Sequence, residues 1–442
     1  MKRLLVITVL SLVSGLNAQN ISTIAGNGTT GNNSNIGDGG NALSAEVWIP
    51  TRVCTDKNGN VYIIDYGNGK IRKVDASGII TSVAGLGSNN CPNGIPATQT
   101  RVGESFAITR DTNNNLFVSD INSQIIKINT ANLATTVVGN CTSTATFGGD
   151  GGPATSAEMQ FAGGVVVDKA GNMYISDSYN HRIRKVDGAT GIITTIGGTG
   201  AQGNSGDGGQ ALSATFNYPN GITIDASGTL YIADMGNHRI RTISSSGVVG
   251  NFAGDGNAAY GGDGAPATTA QLNRPSDIAF DAVGNLYIAD QNNNRVRKVN
   301  TSGIISTFAG NGLTGFSGDG GPAVLAKLAA PSGIAFDSGF QNMFIADQGN
   351  NRVRKVNIVN AAEISGDVHL DDRIILYPNP VTNNLFIQAQ NELGTLFMYN
   401  SLGEVVLQVK SKSAQEQLDI SKFPAGVYTI NAQGIYRKII KE

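Results

Sequence analysis

Leu286-Tyr287-Ile288-Ala289-Asp290 is one of six copies of a single pattern. The copies read VYIID ending at Asp65, LFVSD at Asp120, MYISD at Asp177, LYIAD at Asp234, LYIAD at Asp290 and MFIAD at Asp347, spaced 55 to 57 residues apart. So even a period marks a repeat architecture in which each unit is one supersecondary element. In the fifth unit, residues 277–280, 286–289, 295–299 and 304–309 carry the β-branched and aromatic residues of strands, and Gly, Asn and Asp separate them. Four short antiparallel strands, six times over, specify an all-β fold, a six-bladed β-propeller. The sixth unit stops after its third strand, 352–356. Ile21-Ser22-Thr23-Ile24-Ala25-Gly26 matches the end of the fifth unit, so this N-terminal strand is predicted to close the last blade and leave no open edge.

Composition agrees with that reading. The chain has 442 residues, 58 of them Gly, with 40 % apolar and 14 % charged residues and a net charge of −2. The apolar content excludes a disordered chain, and the Gly excess without a G-x-y period excludes collagen. A near-neutral balance without a basic run excludes nucleic acid as the main partner. Lys2-Arg3 followed by an apolar stretch to Leu16 reads as a signal peptide, residues 1–18, and no other segment is long and apolar enough to be a transmembrane helix. Export exposes cysteines to oxidation, and Cys91 and Cys141, in equivalent loops of consecutive units, are candidates for a disulfide.

Two polar patterns recur. Asp, Asn and Arg in D-x-x-N-x-R follow the second strand and read as turn chemistry: Asp caps, Asn takes the left-handed conformation, Arg reaches a carboxylate or carbonyl. The long loops carry Asp38, Asp150, Asp207, Asp263 and Asp319, each nine positions before an apolar residue. They suggest one helical turn packed on the blades. As repeated oxygen ligands they are also weak calcium candidates; no other cofactor is expected. A residue present in every blade cannot by itself make one asymmetric site, so function is expected where repetition fails. At the start of the first strands that picks out Trp48, Arg52, Phe161, Tyr218, Asn220, Arg274 and Asp277. Aromatics with a few polar groups suit a ligand at a channel mouth.

Asn180-His181-Arg182-Ile183 and Asn237-His238-Arg239-Ile240 resemble the signature of NHL repeats, with 293–296 and 350–353 close variants and the first two units weaker. The resemblance covers about residues 20–357 and implies an NHL-type propeller without implying one activity. Beyond a linker at 358–374, residues 375–442 read as a small Ig-like β-sandwich. Tyr377-Pro378-Asn379-Pro380, Gly403, Gly426, Tyr428 and the basic end around Lys438 resemble the C-terminal sorting domain of type IX secretion cargo of Bacteroidota. That resemblance implies the secretion machinery as a partner and an extracellular or outer-surface location reached through the periplasm. The domains expected are therefore 1–18, 19–357, 358–374 and 375–442. With no nucleophile elbow, phosphate loop or HExxH, the expected function is non-catalytic binding of a glycan or protein. The alternative is a metal-dependent lactonase- or lyase-type enzyme.

Overall fold

Gly and Asn turns cut the chain into strands too short to bury a face alone, so they hydrogen-bond into small sheets that cover one another. The computed structural model describes residues 19–30, 36–88, 91–102, 105–120, 122–141, 146–358, 374–377, 381, 383–389, 392–400, 404–432 and 435–441. The expected signal peptide, most of the linker (359–373), Pro378, Asn379, Pro380 and Gly403 lie outside these residues. The chain divides into two compact units, Met1–Val359 and Asn360–Glu442.

The first unit holds six sheets. Four strands pair antiparallel in sequence order in the first (Pro50–Thr55, Val61–Asp65, Lys70–Val74, Ile80–Ala84), third (Ala162–Val167, Met173–Asp177, Arg182–Val186, Ile193–Gly197), fourth (Pro219–Ile224, Leu230–Asp234, Arg239–Ile243, Val249–Ala253) and fifth (Pro275–Phe280, Leu286–Asp290, Arg295–Val299, Ile305–Ala309). The sixth contains Pro331–Phe336, Asn342–Asp347 and Arg352–Asn357, and its outer strand is Ile21–Ala25, with Ile21 opposite Val356. Each sheet is buried on both faces. Ile278, Leu286 and Ile288 of the fifth pack on Ala233 and Ile240 of the fourth, while its Tyr287, Ala289 and Val296 pack on Ile334 and Ile345 of the sixth. The cores therefore lie between sheets. First strands of successive sheets are neighbours, and Pro50–Thr55 lies against both Ile108–Arg110 and Pro331–Phe336.

The second sheet is irregular. Ile108–Arg110, Leu116–Ser119, Ile125–Ile128 and Leu133–Val138 are joined by a fifth, edge strand, Asn93–Pro96, in what the sequence suggests is only a loop. Cys91 and Cys141 are disulfide-bonded, with Cα atoms 5.7 Å apart and a sequence separation of 50. Cys54 is a buried free thiol. Closing a loop of that length restricts the unfolded chain. Replacing both cysteines with Ser is expected to lower stability by about 2–4 kcal/mol, read as a fall in melting temperature that reductant reproduces in the parent protein. The long loops carry single 3-10 turns, such as Ala154–Ser156 and Ala211–Ser213, each burying its first Ala. The helical turn expected there is thus a tighter one.

The second unit contains two sheets, Ile374–Tyr377/Asn384–Ala389/Gln415–Asp419 and Val405–Ser411/Gly394–Tyr399/Gly426–Ala432/Ile435–Lys441. Leu385, Ile387 and Leu418 of one share a core with Leu396, Met398, Tyr428 and Ile430 of the other. Tyr377, Gly426, Tyr428 and Lys438 of the sorting motif fall in these strands. The Tyr428 hydroxyl donates to the Pro424 carbonyl at 2.9 Å. Among the described residues no helix is long and apolar enough to cross a membrane.

Candidate functional site

Second strands end in an aspartate that builds the scaffold of the site. Buried Asp177 accepts hydrogen bonds from Gln160 N–H (2.8 Å), Asn180 Nδ2 (2.9 Å) and Arg184 Nη1 (3.3 Å). Arg184 Nη2 also donates to Asp150 Oδ1 at 2.7 Å. The same clamp recurs as Asp65–Arg72–Asp38, Asp234–Arg241–Asp207, Asp290–Arg297–Asp263 and Asp347–Arg354–Asp319. All five guanidinium groups are fully buried, and their charge-assisted bonds tie each long loop to its sheet. Burial pushes Asp177, Asp234 and Asp290 up to about 6, against the pull of their hydrogen-bond donors. The weak calcium candidates Asp38, Asp150, Asp207, Asp263 and Asp319 are therefore partners of arginine. Among the described residues no three His, Cys, Asp or Glu converge to hold a metal ion. The second sheet lacks the clamp: buried Ile126, opposite Val118, occupies the arginine's place, and Lys127 lies 5.8 Å from the Phe117 ring as Lys185 lies 5.9 Å from that of Tyr174.

The D-x-x-N-x-R residues divide their work differently from the sequence expectation. Asn180, Asn237, Asn293 and Asn350 donate to the strand aspartate, and the left-handed conformation belongs to the next residue: His181, His238, Asn294 and Asn351, with φ between 52° and 56°. Arg182, Arg239, Arg295 and Arg352 donate to the carbonyls of Thr199, Asp255, Asn311 and Asn27.

The left-handed residue latches one sheet to the next. His181 Nδ1 accepts the Tyr218 N–H (3.2 Å) and His238 Nδ1 the Arg274 N–H (3.1 Å). Asn294, Asn351 and Ser123 accept equivalently from Ala330, Ile49 and Phe161. The receiving residues, Ile49, Phe161, Tyr218, Arg274 and Ala330, all have φ between 48° and 62°. For residues with a Cβ that conformation costs roughly 1–2 kcal/mol each. The backbone is thus identical in five sheets while the side chain changes freely.

A ring nitrogen accepts only when the imidazole is neutral. Burial, and then the adjacent Arg182 or Arg274, lowers the pKa of His181 and His238. The unfolded chain therefore binds protons first as pH falls below about 6.5, the ordinary histidine value, and folding stability declines there. The double variant His181→Asn/His238→Asn keeps an acceptor. It is expected to match the parent at pH 8 and to lose less melting temperature between pH 7 and pH 5.

Phe161, Tyr218 and Arg274 line a cavity of about 670 Å³ together with Phe106, Tyr179 and Asn220. Aromatic rings form a ridge along one side: Tyr66 to Phe106 5.1 Å, Phe106 to Phe161 4.3 Å, Phe161 to Tyr179 4.9 Å and Tyr179 to Tyr218 5.4 Å between centroids. Met235, Arg274, Gln291 and Gln348 also line it, and Gln291 Nε2 donates to Gln348 Oε1 at 3.0 Å.

Arg52 forms the floor. Its Nη1 donates to the Thr51 and Ser332 carbonyls, and its Nη2 to Asn220 Oδ1 (2.6 Å) and the Ser276 carbonyl (2.7 Å). Its Nε lies 3.6 Å from Asp277 Oδ2, which accepts the Ile334 N–H at 2.9 Å. Burial lowers the Arg52 pKa and raises that of Asp277, each opposed by the attraction of the other. Arg52 also lines a second cavity of about 490 Å³, which includes Asp277. Its side chain is the partition between them, and Asp277 faces the far side. Trp48, expected at the mouth, is absent from the lining. It stands one position ahead of the left-handed Ile49, with its N–H bonded to Asp65 and its indole against Gly67.

Comparison with known proteins follows this division. The secretion system C-terminal sorting domain matches residues 375–442, the NHL repeat 159–186, and the teneurin NHL domain 3–90, 197–259 and 251–315. The chain carries NHL repeats and a type IX sorting tail. Teneurin-1 of Gallus gallus is 29 % identical over 255 residues, 51 % of this chain and 9 % of the relative, so the chain spans less than a tenth of that relative's length. Two solved structures from Bacteroides thetaiotaomicron VPI-5482 share the fold. One, described as a structural genomics protein of unknown function, has TM-score 0.57 and 20 % identity, covering 77 % of this chain and 76 % of its own. The other, an auxiliary nutrient binding protein, has TM-score 0.56 and 15 % identity, covering 76 % of both chains. The NHL repeats form a β-propeller, and the sorting tail marks the chain for export to the cell surface or the extracellular space.

Proposed function

We propose that the six sheets are the blades of one ring closed by Ile21–Ala25, and that this propeller is a non-catalytic module which binds a glycan outside the cell. The ring spans 19–357; residues 1–18 are its signal peptide, 358–374 its linker, and 375–442 an Ig-like sandwich that engages the secretion machinery. The observation that carries the reading is the one-sided aromatic ridge Phe106–Phe161–Tyr179–Tyr218 over a blind cavity. Sugar rings present C–H faces that pack on aromatic planes and hydroxyls that pair with amides such as Gln291 and Gln348, and about 670 Å³ falls in the range of small-ligand pockets. Concavity favours a glycan over a protein surface. The nutrient-binding description of one structural neighbour points the same way.

Tyr179, 48 % exposed on the ridge, is the test residue. Tyr179→Ala is expected to weaken oligosaccharide binding by about tenfold, the value of one stacking contact near 1.4 kcal/mol, with unfolding unchanged. Titration of the secreted protein against a glycan panel measures this, and an empty panel would refute the reading. Truncation after Arg373 is expected to leave the propeller inside the cell envelope, read by fractionation. Normal appearance in the medium would remove the role given to the tail.

A further inference from the structure

Among the described residues the cavity lining contains two charged side chains, Arg52 and Arg274, and no carboxylate. They differ in what their donors do. Both terminal nitrogens of Arg52 are bonded to Thr51, Ser332, Asn220 and Ser276, and its third nitrogen faces Asp277, so it has nothing left for a ligand. Arg274 is exposed, and among the described residues its guanidinium reaches Met235 Sδ at 3.8 Å, a weak acceptor. The strand aspartates of five sheets are each buried in their own clamp, and buried Asp120 accepts from Gln124 N–H and Asn122 Nδ2. Arg274 consequently offers a planar, forked donor at the edge of the mouth.

Arg274 is also held from a rigid base. Its backbone is left-handed at φ 52°, its N–H is latched to His238, and Pro275 follows. The equivalent residues in the first, third, fourth and sixth sheets are Ile49, Phe161, Tyr218 and Ala330, all uncharged; that of the second sheet, Glu104, lies outside the described residues. A cation placed at only one of five identical backbone positions, beside an aromatic ridge, marks where a ligand carries opposite charge.

We infer that the glycan is anionic, its carboxylate or sulfate paired with Arg274 while a sugar ring packs on the Phe161–Tyr179 ridge. This rests on the glycan reading above and narrows it to uronic-acid or sulfated saccharides. A carboxylate or sulfate presents two oxygens to the guanidinium fork, a geometry that lysine does not reproduce.

The test uses the full chain and three probes: an oligogalacturonate, its methyl-esterified neutral counterpart, and a sulfated galactan oligosaccharide that contains no uronic acid. The parent is expected to bind at least one acidic probe about tenfold or more tighter than the neutral one, with the preference shrinking as salt rises. Arg274→Gln is expected to abolish the preference while keeping the affinity for the neutral probe, and Arg274→Lys to restore only part of it. The carboxylate and sulfate arms separate the two anions. Equal binding of acidic and neutral probes by the parent, or an acid preference that survives in Arg274→Gln, overturns the inference and leaves the glycan reading standing. Binding of none of the three, with a wider glycan panel also empty, overturns both. Unfolding curves for each variant confirm that a lost preference is not lost folding.

Discussion

Arg52→Met is expected to lower the stability of the propeller by about 3–5 kcal/mol, the usual cost of stranding one partner of a buried ion pair. Asp277 would keep the Ile334 N–H but lose its cation, and the carbonyls of Ser276 and Ser332 would lose a donor. The double variant Arg52→Met/Asp277→Asn should recover part of that loss, since no buried charge remains. Urea unfolding of the parent, both single variants and the double variant gives the coupling directly. Additive losses would show that the pair is not a unit. The same substitution removes the partition between the two cavities, so it should disturb ligand binding through the floor.

Arg184→Met is expected to cost a similar 3–5 kcal/mol, because it leaves Asp177 buried and frees the loop at Asp150. Asp177 already sits near 6 through burial, and loss of the guanidinium raises it further. Raising the folded-state pKa of a carboxyl gives stability that is present at low pH and lost as pH rises. The deficit against the parent should therefore be smaller at pH 5 than at pH 8. In the clamp-free second sheet the arginine's place is taken by buried Ile126, which pairs with Val118 as Arg184 pairs with Ile175.

The repeat was legible because period, turn residues and apolar alternation are all written along the chain, and the sheets follow them strand by strand. The pairing of Ile21–Ala25 with the last unit was legible for the same reason, as its sequence is that of a fourth strand. The clamp was harder to see. Its members are seven and about 34 positions apart, so no local pattern joins them, although Arg72, Arg184, Arg241, Arg297 and Arg354 recur at a constant seven after the strand aspartate. Trp48 was misplaced for a subtler reason. The residue that shares the left-handed φ of Phe161, Tyr218 and Arg274 is Ile49 rather than Trp48, so an alignment by aromatic character was one position out, and neither of the two lines the cavity. The edge strand Asn93–Pro96 belongs to the one sheet where the repeat decays, where periodicity has least to say. The asymmetric mouth was half legible: departures from repetition pointed to Phe161, Tyr218 and Arg274, but the occupied donors of Arg52 required coordinates.

Ile21 pairs with Val356, 335 positions later. A chain made from its N-terminus therefore carries an unpartnered strand until nearly the whole propeller exists, and the most non-local pairing of the fold forms last. In the closed ring proposed above, any shorter product keeps an open seam. Deletions at the beginning and at the end of the propeller should accordingly damage one and the same sheet, so that the two most distant parts of the sequence share a single fate.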